Sequence, residues 1–142
     1  MIKVTPFRRW HLLWLMDEPA VGGALPFDIE VAMTLEKHNS WTASDDGAPI
    51  ACGGTIEQWK GRHQAWMFMT TRTAPHMLTI TRAVKRQLAA TPGRVEMTVR
   101  ADFPQGHRWA RMLGFQREFP GVLKQYGPEG EDHVGYVRLG AR

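Results

Sequence analysis

The residue types in this chain that could do chemistry are its six histidines, its single cysteine and a few arginines. His11, His38, His63, His76, His107 and His133 could hold a metal, but none stands in an HExxH, HxxxH or Cys-His spacing. No metal site is read from them. Cys52 could accept an acyl group as its thiolate, yet its neighbours supply neither a paired histidine nor a clear stabilising charge, and it reads as a small core residue. Arg72, Arg108 and Arg111 could each grip a phosphate with both arms of the guanidinium. Anion contact is the chemistry these arginines favour, weighed against their being solvated surface charges.

Composition limits what such groups can serve. With 142 residues, 43% hydrophobic and 23% charged, the chain has the size and mixture of one globular domain spanning residues 1–142. The formal charge of +4 is scattered, with concentrations at Arg82, Lys85, Arg86 and at Arg108, Arg111, which implies a solvated face with a weak preference for anions. No helix-turn-helix, zinc-finger or ribonucleoprotein motif accompanies the charge, so no specific nucleic-acid partner is expected. One cysteine excludes an internal disulfide framework, and a free thiol among eight methionines suits a reducing, cytoplasmic setting. The apolar run Trp10 to Met16 is too short to span a membrane and has no small-residue cleavage site behind it, so neither export nor anchoring is expected.

The elements that must position these residues follow from periodicity and turn signals. Ile2 to Phe7 reads as a short strand, followed by a helix from about Arg9 to Met16 with Trp10, Leu13 and Trp14 on one face. Asp17 to Pro26 reads as a loop, and Asp28 as the N-cap of a helix with Ile29, Ala32, Met33 and Leu35 on its apolar side. Asp45-Asp46-Gly47 separates the strands Ser40 to Ser44 and Pro49 to Trp59 as a hairpin, and Gly53-Gly54 marks a bulge or a close backbone neighbour. Ala65 to Met69 reads as a central strand covered on both faces. A helix then opens with Thr73 as its cap and Pro75 in its first turn, carries Met77, Ile80, Val84 and Leu88 as a stripe, and stops at Thr91-Pro92-Gly93. Val95 to Ala101 alternates as a half-buried strand, and Trp109, Met112 and Leu113 form one face of the last helix. Leu113-Gly114-Phe115 closes that helix, Gly114 being the residue that can turn left-handed; a turn at Tyr126 to Pro128 and Gly130 and a strand Val134 to Leu139 end the chain. Trp10, Trp14, Trp66 and Trp109 are expected in the core, whereas Trp41 and Trp59, near hairpin ends, are expected to line a cleft or partner surface.

The stretch Arg94 to Phe119, with its strand, amphipathic helix and Leu113-Gly114-Phe115 ending, resembles the region just after the middle of the Gcn5-related N-acetyltransferase (GNAT) fold. The order β-α-α-β-β-β-α-β-α-β-β agrees with that resemblance. It implies an α/β (α+β) three-layer fold, with a central mixed sheet of six to seven strands flanked by about four helices. It further implies acetyl-CoA between the Ala65 to Thr70 strand and the Val95 to Ala101 strand. The pyrophosphate would lie at the turn Thr71-Arg72-Thr73-Ala74, and Met69, Thr70, Thr71, Arg72, Thr73, His76, Arg108 and Arg111 would be the cofactor-side residues. By the same resemblance Glu57 is the candidate general base for an amine acceptor, against the plainer reading of an exposed strand carboxylate, and His76 and His107 stand at helix starts near the cleft. Two positions depart from the family pattern. The phosphate turn contains no glycine and runs into Pro75, which has no N–H; and the family's acid, a tyrosine one turn before the helix ending, is replaced by Ala110.

Gly53, Gly54, Trp66, Phe68, Thr70, Thr71, Lys85, Arg86 and Gly114 also resemble a GNAT-related group, the small internal virion proteins of T7-like bacteriophages. Two functions are therefore implied: an acyl-CoA-dependent N-acyltransferase acting on an amine, or a non-catalytic GNAT-fold phage protein that binds virion or host proteins and could form a homo-oligomer.

Overall fold

The computed structural model describes residues 1–16, 20 and 28–141. Seven strands form one sheet in the order β1-β2-β3-β4-β5-β7-β6. β1 (Ile2–Pro6), β2 (Asn39–Asp45), β3 (Ala48–Trp59) and β4 (Arg62–Met69) run as an antiparallel meander. β5 (Arg94–Arg100) is parallel to β4, and β7 (His133–Leu139) lies antiparallel between β5 and the two-residue β6 (Gln116–Arg117). The β2–β3 turn has positive φ at Asp46 and Gly47, the conformation that lets a two-residue turn follow the twist of its strands.

Helices cover both faces. α1 (Arg9–Met16) and α2 (Ile29–Glu36) bury Leu12, Leu15, Ala32 and Leu35 with Phe7, Cys52 and Phe68 on one side. α3 (Met77–Ala89) and α4 (Pro104–Met112) bury Ile80, Val84, Leu88, Ala110 and Leu113 with Ala43, Val95, Val99 and Tyr136 on the other. The expected mixed sheet flanked by four helices is thus the observed one.

Several local expectations are corrected. On α1 the inward face is His11, Leu12 and Leu15, and Trp10 and Trp14 are each 52% exposed. Both faces of this short helix carry large apolar residues, so spacing alone did not choose; the choice goes with His11, whose Nδ1 accepts from Arg8 N–H and meets Thr42 Oγ1 of β2 at 2.9 Å. Trp41 is 7% exposed under α3, not at a cleft, because β2 lies inside the sheet and turns it inward. Ile29 and Met33 on α2, and Met112 on α4, face outward. The loop expected over 17–26 lies outside the described residues apart from Ala20, which forms an isolated antiparallel bridge with Thr70.

Gly53-Gly54 is a close approach, not a bulge: the β2–β3 register shifts only between Ala43 and Ser44, and a Cβ on Gly54 would stand 2.3 Å from the Asn39 carbonyl oxygen. Gly114 closes α4 at φ +92, with Phe115 N–H donating to Ala110 O and the Phe115 ring buried.

Candidate functional site

The central feature is the way β4 and β5 part. They pair only at Arg62↔Arg94, His63↔Val95 and Gln64↔Glu96, and beyond these pairs β4 continues to Met69 and β5 to Arg100 without further pairing. Their joined ends are tied by charge: Arg62 binds Glu96, and Arg94 bridges Glu96 and Glu118. Arg62, and next Arg94, hold the Glu96 carboxyl below the usual carboxylate range despite its partial burial.

Thr70 N–H donates to Ile50 O, so the alternation of an antiparallel ladder turns the N–H and C=O of Met67 and Ala65 away from β3 and into the gap. On the α3/α4 side the strands bordering the gap carry the half-buried Ala65, Met67 and Met69 of β4 and Met97 of β5, which pack with Phe103 and Trp109 against the core beneath those helices. The Trp109 indole N–H donates to Thr81 Oγ1 at 2.8 Å and so joins α4 to α3.

The turn after β4 is a 3₁₀ helix, Thr71–His76, with Pro75 inside it, and α3 begins only at Met77. Thr73 does not cap α3. Its Oγ1 and its N–H both bond Thr70 O, because the tighter 3₁₀ path that Pro75 permits brings the two residues together. Thr70 Oγ1 donates to Ile50 O, and both threonines are buried. His76 Nε2 is 3.3 Å from Asp45 Oδ2. Met69 to Thr73 are thus contiguous at the end of β4, but the hydroxyls of Thr70 and Thr73 are committed within the protein. Thr71 and Arg72 are exposed on this turn, as are Arg108 and Arg111 on α4.

Glu57 is not brought to this gap. It pairs with His63, level with the joined ends of β4 and β5, and lines a cavity of about 340 Å³ beside Lys37, His38, Thr55 and the end of α3. The acid position is also altered by folding: Tyr136 reaches α4, its hydroxyl 2.8 Å from His107 Nδ1. His107 Nε2 meets the Ala101 carbonyl, which can only accept, so Nδ1 is the acceptor and Tyr136 O–H donates to it. Tyr136 pairs with Met97 and is buried under α4, behind β5 as seen from the gap.

In the sequence His133 reads only as a histidine without metal-ligand spacing; the fold joins it to a second polar array, in which Thr98 of β5 and His133 at the start of β7 stand with Glu131 just before that strand. Thr98 Oγ1 lies 3.0 Å from His133 Nδ1, and His133 Nε2 lies 3.3 Å from Glu131 Oε1. No spacing rule joins positions 35 apart in sequence, and only the β5–β7 register brings them together. Among the described residues no group of three or more His, Cys, Asp or Glu could hold a metal ion, and no helix is long and apolar enough to cross a membrane. The Cys52 thiol is buried, and burial pushes its pKa well above the ordinary value, so it is not a thiolate at neutral pH.

A seven-stranded mixed sheet whose two parallel central strands part at one end is the architecture of the GNAT acetyltransferases. The chain is similar to the ribosomal-protein-S18-alanine N-acetyltransferase from Escherichia coli, with a TM-score of 0.77 and 13% identity over 100% of this chain and 96% of that one. It is also similar to a chain of the NatC complex bound to Gag peptide and CoA, with a TM-score of 0.69 and 14% identity over 97% of this chain and 98% of that one. A GNAT-family acetyltransferase from Bacillus anthracis gives a TM-score of 0.67 at 12% identity over 97% and 94% of the two chains. At these identities the likeness is one of fold. No protein-family profile and no curated protein sequence matches the chain.

Proposed function

We propose that this chain is an acyl-CoA-dependent N-acyltransferase that moves an acetyl group from acetyl-CoA to an amine. One observation carries the reading: the parting of β4 from β5 after Gln64 and Glu96 turns the backbone groups of Ala65 and Met67 toward a slot rather than a strand. Such an edge can bond the amides of a pantetheine arm as a further strand would, and the half-buried Met67, Met69 and Met97 offer its methylenes an apolar wall.

The phosphate end fits differently. Thr73 N–H is already used and Pro75 has none, so the turn offers less backbone N–H than a glycine loop. The exposed guanidinium groups of Arg72, Arg108 and Arg111 supply positive charge in its place. Thr71 stands beside Arg72 on that turn, and His76 is held by Asp45 instead. Acetyl-CoA would supply the acyl group as a reactive thioester and leave as CoA thiol; the chain's part is to hold amine and acyl group together, which by itself can account for a large share of such a rate. The family-implied base Glu57 stands one strand away from the slot, so its role in amine deprotonation would need the acceptor to reach the cavity it shares with His63.

Isothermal titration with acetyl-CoA and with CoA tests the reading. Micromolar binding that weakens at least about tenfold, or about 1.4 kcal/mol, in Arg72→Ala is the expected result; absence of heat at millimolar ligand overturns it.

A second reading is favoured by the turn itself, since a 3₁₀ helix with an internal proline is poor ground for a diphosphate. In it the chain is a non-catalytic GNAT-fold protein of bacteriophage origin, used in virion assembly or in binding a host protein. It predicts no heat with CoA and a defined oligomer or protein complex by light scattering.

A further inference from the structure

The Thr98, His133 and Glu131 array stands where the sheet opens. Thr98 lies two residues beyond Glu96, the last β5 residue paired with β4. Val95 and Val99 are buried beneath α3 and α4, so strand alternation turns Thr98 to the opposite face. On that face α1 packs on β3 and α2 on β2. The β5–β7 part of the face is bordered instead by the segment before β7, where Phe119 and Leu123 approach Gly135. Thr98 is half-buried there.

The imidazole is fixed from several sides. Leu123 and His133 exchange two backbone hydrogen bonds of 2.7 and 3.0 Å, and the Tyr126 ring stands 5.2 Å from the His133 ring, centroid to centroid. Glu131 Oε2 accepts Glu129 N–H at 2.9 Å, which holds the carboxylate in place. The Glu131 carboxyl is kept below its usual range, first by its own backbone N–H and then, against desolvation, by His133 and Glu129.

The tautomer of the neutral imidazole follows from the partners. An ionised carboxylate only accepts, so His133 Nε2 carries the proton that points to Glu131. Nδ1 then presents a lone pair, and the neighbouring Thr98 O–H donates to it. Hydroxyl, imidazole and carboxylate in that order are the arrangement that activates an oxygen nucleophile, here with the two ring nitrogens in exchanged roles.

We propose that Thr98 is an acyl-accepting nucleophile, with His133 its general base and Glu131 the residue that positions the imidazole. Thr98 Oγ1 attacks the carbonyl carbon of an activated acyl donor while its proton passes to His133 Nδ1. The new bond is Oγ1–C, the bond broken is that to the leaving group, and the leaving group takes the proton from His133. An amine or a water then attacks the acyl-threonine ester, and the same proton route returns Thr98 to its hydroxyl form. The identity of the natural donor as a thioester rests on the N-acyltransferase reading; the nucleophile does not.

The experiment is therefore run without CoA. The full chain is mixed with p-nitrophenyl acetate at neutral pH, p-nitrophenolate release is followed, and acetylated protein is mapped by tandem mass spectrometry. The expected result is an acetyl group on Thr98 that hydroxylamine removes. Thr98→Val loses it, Thr98→Ser keeps it, and His133→Gln slows its formation about 100-fold. Glu131→Gln slows it about tenfold with an unchanged melting temperature and a shifted tautomer balance in the His133 imidazole nitrogen signals. Absence of an acetyl group at position 98 in both the wild-type and Thr98→Ser proteins, or a rate that His133→Gln leaves unchanged, overturns the proposal. Failure of acetyl-CoA to bind, with Thr98 still acetylated by the ester, would remove the cofactor reading and leave this one standing.

Discussion

Trp109 of α4 donates its indole N–H to Thr81 of α3 at 2.8 Å, a side-chain hydrogen bond that ties the two helices together on the face of the sheet they cover. Thr81 is buried, so removing its hydroxyl leaves the indole without that acceptor. Thr81→Val is expected to cost about 1 to 2 kcal/mol in urea unfolding. In a Trp109→Phe background the same change should cost about 0.5 kcal/mol or less, because the partner is already gone. Equal costs in both backgrounds would mean that the bond does not contribute.

The joined end of the gap depends on Glu96, which links Arg62 of β4 to Arg94 of β5. Its pKa in the folded chain is lowered, chiefly by Arg62, so the stability it contributes is present above the ordinary carboxylate pKa and is lost as pH falls toward and through the lowered value. The group is partly exposed, and Glu96→Gln is expected to cost only about 1 kcal/mol at pH 7. Chemical denaturation at pH 7 and again near pH 3 checks this: the gap between wild type and variant should narrow at the lower pH.

His11 carries the opposite chemistry with the same sign. Burial, then Arg8, lowers its pKa, and its Nδ1 lone pair is used by Arg8 N–H and Thr42. A depressed folded pKa means that protons bind the unfolded chain first, so the stabilisation is complete above about pH 6.5 and is lost as pH falls below it. Melting temperature measured from pH 7.5 to 5 should fall for the wild type. His11→Gln should start lower and show a shallower slope; parallel slopes would remove His11 as the cause.

Legibility in the sequence divided along a physical line. The stripe Ile80, Val84, Leu88, the Asp46-Gly47 turn, the alternation of Val95 and Val99 and the Gly114 ending are local signals, and each stands in the structure where it was read. What failed was the choice between two apolar faces, as on α1, where Trp10, Leu13 and Trp14 obey helical spacing yet face outward. A helix pattern gives a period but not which side meets the sheet, and here Thr42, 31 residues from His11, marks that side. The candidate site was half legible for the same reason. Met69 to Thr73 are consecutive, so a strand followed by a turn places them, whereas Glu57 was assigned without the register that sets it opposite His63. The Thr98–His133 contact needs the β5–β7 pairing across 35 positions, which no periodicity contains.

The approach of β2 to β3 at Gly54 gives a sharper test of the packing that holds β4 in the sheet's centre. A Cβ at Gly54 would lie 2.3 Å from Asn39 O and 2.7 Å from Ser40 Cα, both backbone atoms that cannot rotate aside. Gly114 differs: its nearest foreign atom would be Arg138 Nε at 3.4 Å, so its requirement is the φ of +92 rather than space. Gly54→Ala is therefore expected to cost about 3 kcal/mol by forcing the strands apart, and Gly114→Ala about 1 kcal/mol through backbone strain alone. The two should also differ in kind. Moving β3 disturbs its ladder with β4 at Trp66, the partner of Gly54, so amide exchange in β4 should quicken in Gly54→Ala, while Gly114→Ala should leave β4 protected and quicken exchange only near the end of α4. Equal protection of β4 in both variants would show that the hairpin gives way at β1 and β2 instead.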